Sequence, residues 1–422
     1  MSNDVISNTS PTGSISRSKI NWLLILSVLG PGLMVMLADT DSGSIITAAQ
    51  SGAQWGYKLL AIQFVLMPVL YIAQELTVRL GVVTGRGHAE LIKAHFGKFW
   101  AWLSVSTLAV GCMGGIITEF SGIASAGLLL GVPIKVSLGL TIILLTILAW
   151  TGSYKSVERI ALAIGAFELI FVWVAWQAHP SGTEMLHSLA NIPFTNSGYW
   201  YLIAANIGAV IMPWMVFYQQ SAVIDKGLKP SHLRIARWDT AIGAFITQLI
   251  MAAVLIITAA TIGKIHPNAS LNTVQEISSA LTPSLGETIG RLLFCLGMLG
   301  AALIATIVIS LAIAWGVGEV TGYRRSLQDK PSEAPWFYCI YTLGLIFGGV
   351  LVASNINLVK LNVAVEVMNA MLLPIVLGFL FLLARKTLPE PYRLKGRYAV
   401  LVGIILFFTS AFGLCAGLFG MS

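Results

Sequence analysis

Residues 30–56 read GPGLMVMLADTDSGSIITAAQSGAQWG, a stretch apolar enough to lie in lipid that carries two carboxylates, Asp39 and Asp41, at its middle. Ionisable side chains at such depth persist where they face a cavity or bind something, so the default reading is a functional site for a cation. Thr40, Ser42, Gly43 and Ser44 surround the acids. These residues favour local side-chain hydrogen bonds or open backbone over a continuous helix, so the sequence predicts a helix broken at this point. An unwound turn inside a bilayer is tolerated only where it lines a protein-enclosed site, and its freed carbonyls are themselves cation ligands.

The rest of the chain fits a membrane setting. Of 422 residues, 56% are hydrophobic and 10% charged, with mean hydropathy +0.83, against roughly 25% charged in soluble domains. This composition predicts an all-α polytopic membrane protein and excludes a globular enzyme. Stretches long enough to span occur near 20–55, 58–80, 101–130, 133–151, 156–177, 199–224, 238–263, 289–318, 335–354, 358–384 and 398–420, which is eleven transmembrane helices. With the amino terminus inside, 20 of the 25 Lys and Arg residues fall on the cytoplasmic side. The positive-inside rule then places the amino terminus in the cytoplasm and the carboxyl terminus outside. The formal charge of +7 therefore serves topology, and no nucleic-acid partner is expected. Residues 1–19 are polar and Ser/Asn/Thr-rich, without a signal peptide's apolar core, and read as a disordered cytoplasmic tail. The cysteines Cys112, Cys295, Cys339 and Cys415 stand singly in apolar segments and read as buried small hydrophobes. Six histidines lie in loops or near span ends and read as solvated.

A second break is predicted in the sixth span, ANIGAVIMPWMVFYQQSAV (205–223), where Pro213 removes a backbone donor in mid-membrane. Five spans separate the two breaks. An odd number of spans per half inserts the second half upside down, the inverted-repeat (5+5) arrangement of many transporters, with the site at the midplane between broken helices 1 and 6. The expected organisation is a first five-helix repeat over 20–177, a second over 199–384 and an extra helix at 398–420.

The sequence resembles the natural resistance-associated macrophage proteins, a family of divalent-metal transporters. GPGLMVMLADTDSGSIITAAQSGAQWGY resembles the family's first helix with its Asp-Pro-Gly-Asn hallmark. QELTVRLGVVTGRGHAEL (74–91) is similar to its second-helix ending and following loop, and IGAVIMPW (207–214) to its sixth-helix Met-Pro-His motif. The resemblance implies metal ligation by Asp41, Ser44 (in place of the asparagine), Met212 and the carbonyls of Ala38 and Ala209. An anionic oxygen, backbone and hydroxyl oxygens and a soft thioether together suit manganese or iron over calcium or magnesium. Two further acids, Asp39 and Glu366 of LNVAVEVMNAMLLP (361–374), would harden such a site.

The sequence also departs from the family pattern. The motif proline is Ser42, and the family's histidine is Trp214, which cannot carry a proton. Where the family places two acids three residues apart for proton exit, ITEFSGIA (117–124) keeps Glu119 and has Gly122 at the second position. The ninth span, 335–352, has no arginine. Proton coupling, with Glu119 as its remaining pathway residue, is thus an open element of the reading.

Bland alternatives stand beside these assignments. Asp41 could cap the second half-helix, Asp39 could hydrogen-bond the turn, Met212 could be packing, and Ser44 could bond its own backbone. Glu75 and Glu168 read as structural. The expected function is a secondary transporter of a bacterial-type inner membrane that imports a divalent cation, Mn2+ or Fe2+, by alternating access. The alternatives are a Mg2+ transporter of the same fold without proton coupling and an ion-coupled small-solute carrier. No nucleophile–base pair or cofactor motif is present, so no catalytic residue and no cofactor are expected beyond the transported ion. The expected partners are lipid, the metal and, if coupling holds, a proton, with the chain acting as a monomer.

Overall fold

The computed structural model describes residues 27–188, 192–266, 270–281, 286–354 and 358–421. The segment read as a polar tail, 1–19, lies outside the described residues. Eighteen α-helices, and no strand among the described residues, make up the chain. In order they are α1 (Pro31–Asp39), α2 (Ser42–Trp55), α3 (Leu60–Thr84), α4 (His88–Phe96), α5 (Lys98–Leu129), α6 (Ile134–Thr151), α7 (Tyr154–Gly165), α8 (Ile170–Gln177) and α9 (Gly182–Ser188). There follow α10 (Ser197–Val210), α11 (Pro213–Asp225), α12 (Leu233–Ala260), α13 (Ile262–Ile265), α14 (Val274–Leu281), α15 (Glu287–Thr321), α16 (Pro335–Val352), α17 (Leu358–Lys386) and α18 (Gly396–Met421).

Among the described residues, ten helical stretches are long and apolar enough to cross a membrane, where hydropathy predicts eleven. The difference has a geometric source. The first predicted span, 20–55, begins outside the described residues, its half-helix α1 has only nine residues, and the 3-10 turn Gly56–Leu59 runs α2 into α3 as one stretch, 42–84.

Both predicted breaks are present. Asp39 ends α1, Thr40 leaves the helical region (φ −81°, ψ 47°), and Asp41 is extended (φ −71°, ψ 177°) before α2 begins. In the sixth span Ile211 and Met212 are extended, and Pro213 opens α11 at the position where a missing N–H costs nothing. A third interruption escapes hydropathy: residues Ala166–Leu169 form a 3-10 turn between α7 and α8.

Helix α12 runs beside both halves of the first span and carries them across the break. It approaches closely because Gly32 and Gly243 have no side chain: a carbon added to Gly32 would lie 2.7 Å from the Thr240 nitrogen, and one on Gly243 2.7 Å from Met36 Cγ. Small residues at helix contacts serve the same purpose in membrane bundles generally. Helices α5, α15 and α17 close the other sides around α2, α10 and α11, and α18 packs outside against α10 and α17. Of the cysteines, Cys112 and Cys295 are buried as expected, whereas Cys339 and Cys415 are exposed on the bundle's outer face. His88 corrects the reading of solvated histidines: it is fully buried, its ring set edge-on against Phe217 and its Nδ1 3.2 Å from Gln220 Oε1.

Candidate functional site

The two breaks meet at the centre of the bundle. Pro213 lacks the N–H that would bond the carbonyl four residues earlier, which frees Ala209 O. Ser44 of α2 donates its hydroxyl to that carbonyl at 3.0 Å, joining the start of α2 to the end of α10. Asp41 caps α2: its Oδ1 accepts the Ser44 N–H at 2.7 Å. Its Oδ2 is buried and takes no bond from an N–H or hydroxyl among the described residues, and the Glu119 carboxyl is the neighbour of this carboxylate. The capping and ligand readings of Asp41 are therefore compatible, one oxygen serving each. The Ala38 carbonyl, left over at the end of α1, accepts no hydrogen bond among the described residues. Met212 is fully buried within the second break.

Glu366 of α17 comes to the same place because residue 43 is glycine. A carbon added to Gly43 would fall on Glu366 Oε1 and 3.4 Å from Asp41 Oδ1. Asn369 donates to Glu366 Oε2 at 3.0 Å, and Oε1 is left buried without a donor among the described residues. Glu119 of α5 approaches from another side. Its Oε2 accepts the Ser42 N–H at 3.1 Å and its Oε1 the Thr118 hydroxyl at 3.0 Å. The first of these bonds exists because residue 42 is not proline, which has no such donor. Ser42 also explains Gly122: a side chain there would land on Ser42 Oγ, so the missing acid and the missing proline are one packing solution. Trp214 is fully buried, with its indole N–H unpartnered among the described residues.

Asp39 lies at the edge of this group, with Asp41 and Glu366 as its charged neighbours. It faces Thr247 of α12, Thr40 faces Glu168, and the two threonine hydroxyls are 2.6 Å apart. The structure thus groups Asp41, Ser44, Ala209, Glu366 and Glu119, keeps Ala38 and Met212 at the two breaks, and leaves Asp39 against Thr247 with Asp41 and Glu366 as its charged neighbours. Every one of these side chains is buried, with at most 1% of its surface exposed, so the site is occluded from both ends of the bundle.

Sequence reasoning missed the anchorage of α1. The Asp239 carboxylate of α12 accepts N–H bonds from Gly32 (2.7 Å), Gly30 (3.1 Å) and Leu33 (3.4 Å), capping the half-helix from another element. Lys226 donates to Leu29 O at 2.7 Å and to both oxygens of Glu158 at 2.8 and 2.9 Å. Gly30, at φ +139°, adopts a backbone that favours glycine, and any side chain there would strike Glu158. Further contacts at this end, Glu75 with Arg79 (2.5 Å) and Arg237 (2.6 Å) and Arg325 with Glu90 (2.7 Å), gather the basic loops on one side of the bundle. A lone aspartate inside an apolar span, which Asp239 is, was the available signal.

Comparison with known proteins bears on the family and the fold. A family model described as natural resistance-associated macrophage protein-like matches residues 32–417. A divalent metal cation transporter MntH of Mesorhizobium japonicum is 29% identical over 322 residues, 71% of this chain and 69% of that protein. MntH of Xanthomonas campestris is 27% identical over 378 residues, 84% and 81% of the two chains. Among solved structures, the Eremococcus coleocola manganese transporter in complex with an aromatic bis-isothiourea compound superposes with a TM-score of 0.73 at 19% identity, over 96% of this chain and 88% of that one. MhsT in complex with L-phenylalanine gives 0.60 at 14% identity, over 92% and 98%. At such identities the structural likeness concerns the fold.

Proposed function

The chain belongs to the natural resistance-associated macrophage protein-like family, and from that premise we propose that this integral membrane protein imports a divalent metal cation, manganese or iron first, by alternating access. The observation that carries the reading is the buried, unpartnered Asp41 Oδ2 at the point where Ser44 ties the two broken helices together. A carboxylate oxygen with no donor in a low-dielectric interior is costly unless a cation compensates it. The ion binds Asp41, the Met212 thioether and the carbonyls of Ala38 and Ala209, with Ser44 and Glu366 completing the shell. The thioether selects transition metals over hard ions.

Transport runs without the family's proton route. Trp214 holds no proton, Gly122 has no room for an acid, and Glu119 is engaged by the Ser42 N–H and Thr118. The basic-loop end faces the cytoplasm of a bacterial-type inner membrane, and one chain contains the whole site. Magnesium is the second reading, favoured by the Glu366 oxygen beside Asp41 around Gly43, an arrangement suited to a harder, partly hydrated ion.

Uptake into proteoliposomes with Mn2+ and Mg2+ in competition, and internal pH followed by an entrapped dye, tests all three points. The expected result is Mn2+ entry that Mg2+ inhibits weakly, without acidification. Mg2+ entry in preference to Mn2+ overturns the ion assignment, and stoichiometric acidification overturns the uncoupled cycle.

A further inference from the structure

The outer wall of the bundle carries a groove between α17 and α18, with a volume of about 810 Å³. It runs from Arg385 and Gly396, in the last turn of α17 and the first of α18, to Pro374 and Leu414. At about 1.5 Å per residue these limits span about 16 Å of α17 and about 27 Å of α18, against about 15 Å for the hydrocarbon of one leaflet. Glycines make the room. A carbon added to Gly378 meets nothing within 4 Å, and one added to Gly403 lies 3.0 Å from Phe381 Cζ. Arg385 and Ser410 are the polar side chains on the lining, and Ser410 spends its hydroxyl on Leu406 O of its own helix at 2.7 Å. The rest of the wall is apolar, with Phe407 and Phe408 67% and 63% exposed.

The mouth of this groove is basic. Residues 385–397, RKTLPEPYRLKGR, carry five basic side chains against one acid. That acid, Glu390, is already paired with Arg393 at 3.0 Å and Lys395 at 2.9 Å. Arg385, Lys386 and Arg397 take part in none of the ion pairs among the described residues. The Arg385 guanidinium lies 5.8 Å from the centre of the Phe381 ring, so an uncompensated cation stands directly over the apolar wall. Arg79 donates to Tyr392 O at 3.3 Å, which fixes this loop at the end of the bundle where the other basic loops gather. Basic clusters beside membrane helices attract anionic headgroups, and basic pockets between such helices hold them. A second copy of the chain suits the groove less well, because a two-fold partner of the same membrane orientation brings the same uncompensated basic mouth to the same depth.

We propose that the α17–α18 groove is a binding site for one anionic glycerophospholipid, with an acyl chain in the groove and the phosphate at Arg385 and Arg397. The site depends on the membrane setting of the chain and not on which ion Asp41 carries.

The test is native mass spectrometry of the purified full chain in detergent, titrated separately with phosphatidylglycerol and phosphatidylcholine of the same acyl chains. The wild-type chain takes up one phosphatidylglycerol roughly tenfold more tightly than phosphatidylcholine. Arg385→Gln and Arg397→Gln each weaken the phosphatidylglycerol adduct roughly fivefold and leave phosphatidylcholine unchanged. Gly378→Leu, whose side chain enters open space, fills the groove and weakens the first adduct of either lipid while the basic mouth stays intact. Both arginines are exposed, so their variants stand in should the leucine variant fail to fold. Equal affinity for the two lipids, a preference for phosphatidylglycerol that survives Arg385→Gln/Arg397→Gln, or an adduct that a folded Gly378→Leu leaves unchanged overturns the proposal. A dimer that Gly378→Leu dissolves overturns it too, by assigning the groove to a second copy.

Discussion

Replacing Lys226 by methionine isolates the contact that ties α1 to the basic-loop end. The Lys226 and Glu158 side chains are 4% and 7% exposed, and the ammonium is bound to both Glu158 oxygens at 2.8 and 2.9 Å and to Leu29 O at 2.7 Å. Removing one partner of a buried ion pair strands the other charge and costs about 3–5 kcal/mol. The lost Leu29 bond adds about 1 kcal/mol. Exchanging both partners for apolar or neutral residues of similar volume strands nothing and is often neutral. Lys226→Met alone therefore destabilises by about 5 kcal/mol, while Glu158→Gln/Lys226→Met recovers about 4 kcal/mol of that loss. Denaturant unfolding in detergent, followed by tryptophan fluorescence, measures the cycle. A double variant as unstable as the single one, with coupling below about 0.5 kcal/mol, refutes the claim that Glu158 is the charge Lys226 answers. The same loss frees the amino end of α1, so an accessibility probe placed on the basic-loop side reacts faster in Lys226→Met than in the wild type.

Gly122→Glu, which restores the family's usual acid, fails to fold or to transport because its first carbon meets Ser42 Oγ and Cβ, whereas Gly122→Ala combined with Ser42→Gly, which removes both atoms, is tolerated; yield of monodisperse protein and Mn2+ uptake decide. Burial lowers the His88 pKa to about 4, partly opposed by the Gln220 hydrogen bond, against about 6.5 in the unfolded chain. Its contribution to stability is therefore complete above about pH 6.5 and lost as pH falls from there through 4, and His88→Gln flattens stability across that window in a pH series of thermal melts. Met212→Ala reduces Mn2+ affinity relative to Mg2+ by about tenfold in competition uptake, the loss of one soft ligand.

The fold was legible in residues that violate their surroundings. Acids and hydroxyls in the middle of an apolar run marked the first break, and Pro213 marked the second, because a bilayer offers no water to mend an interrupted backbone. The 3-10 turn at residues 166–169 left no mark: AFEL is apolar enough to read as continuous span, and the tightening of the helix there appears only in the backbone. The structure joins Asp41, Ser44 and Ala209 where motif and backbone chemistry coincide. Asp239 was passed over because its partners are backbone N–H groups more than 200 residues away, and no local spacing encodes such a pairing. Glu168 was read as structural, a tether between helices, and its burial against Thr40 beside Asp41 appears only in three dimensions. His88 was misjudged because loop position in sequence does not disclose burial beneath α11.

The central claim is that Asp41 grips the transported ion with the oxygen its cap does not use. Asn is as good a helix cap as Asp, so Asp41→Asn keeps the bond to the Ser44 N–H while removing the charge. Mn2+ uptake into proteoliposomes, with folding checked by thermal melt, separates the two roles. The account predicts a melt close to wild type and uptake reduced by about two orders of magnitude, the cost of roughly 2.7 kcal/mol in ion binding. Uptake at the wild-type rate in the folded variant would contradict it.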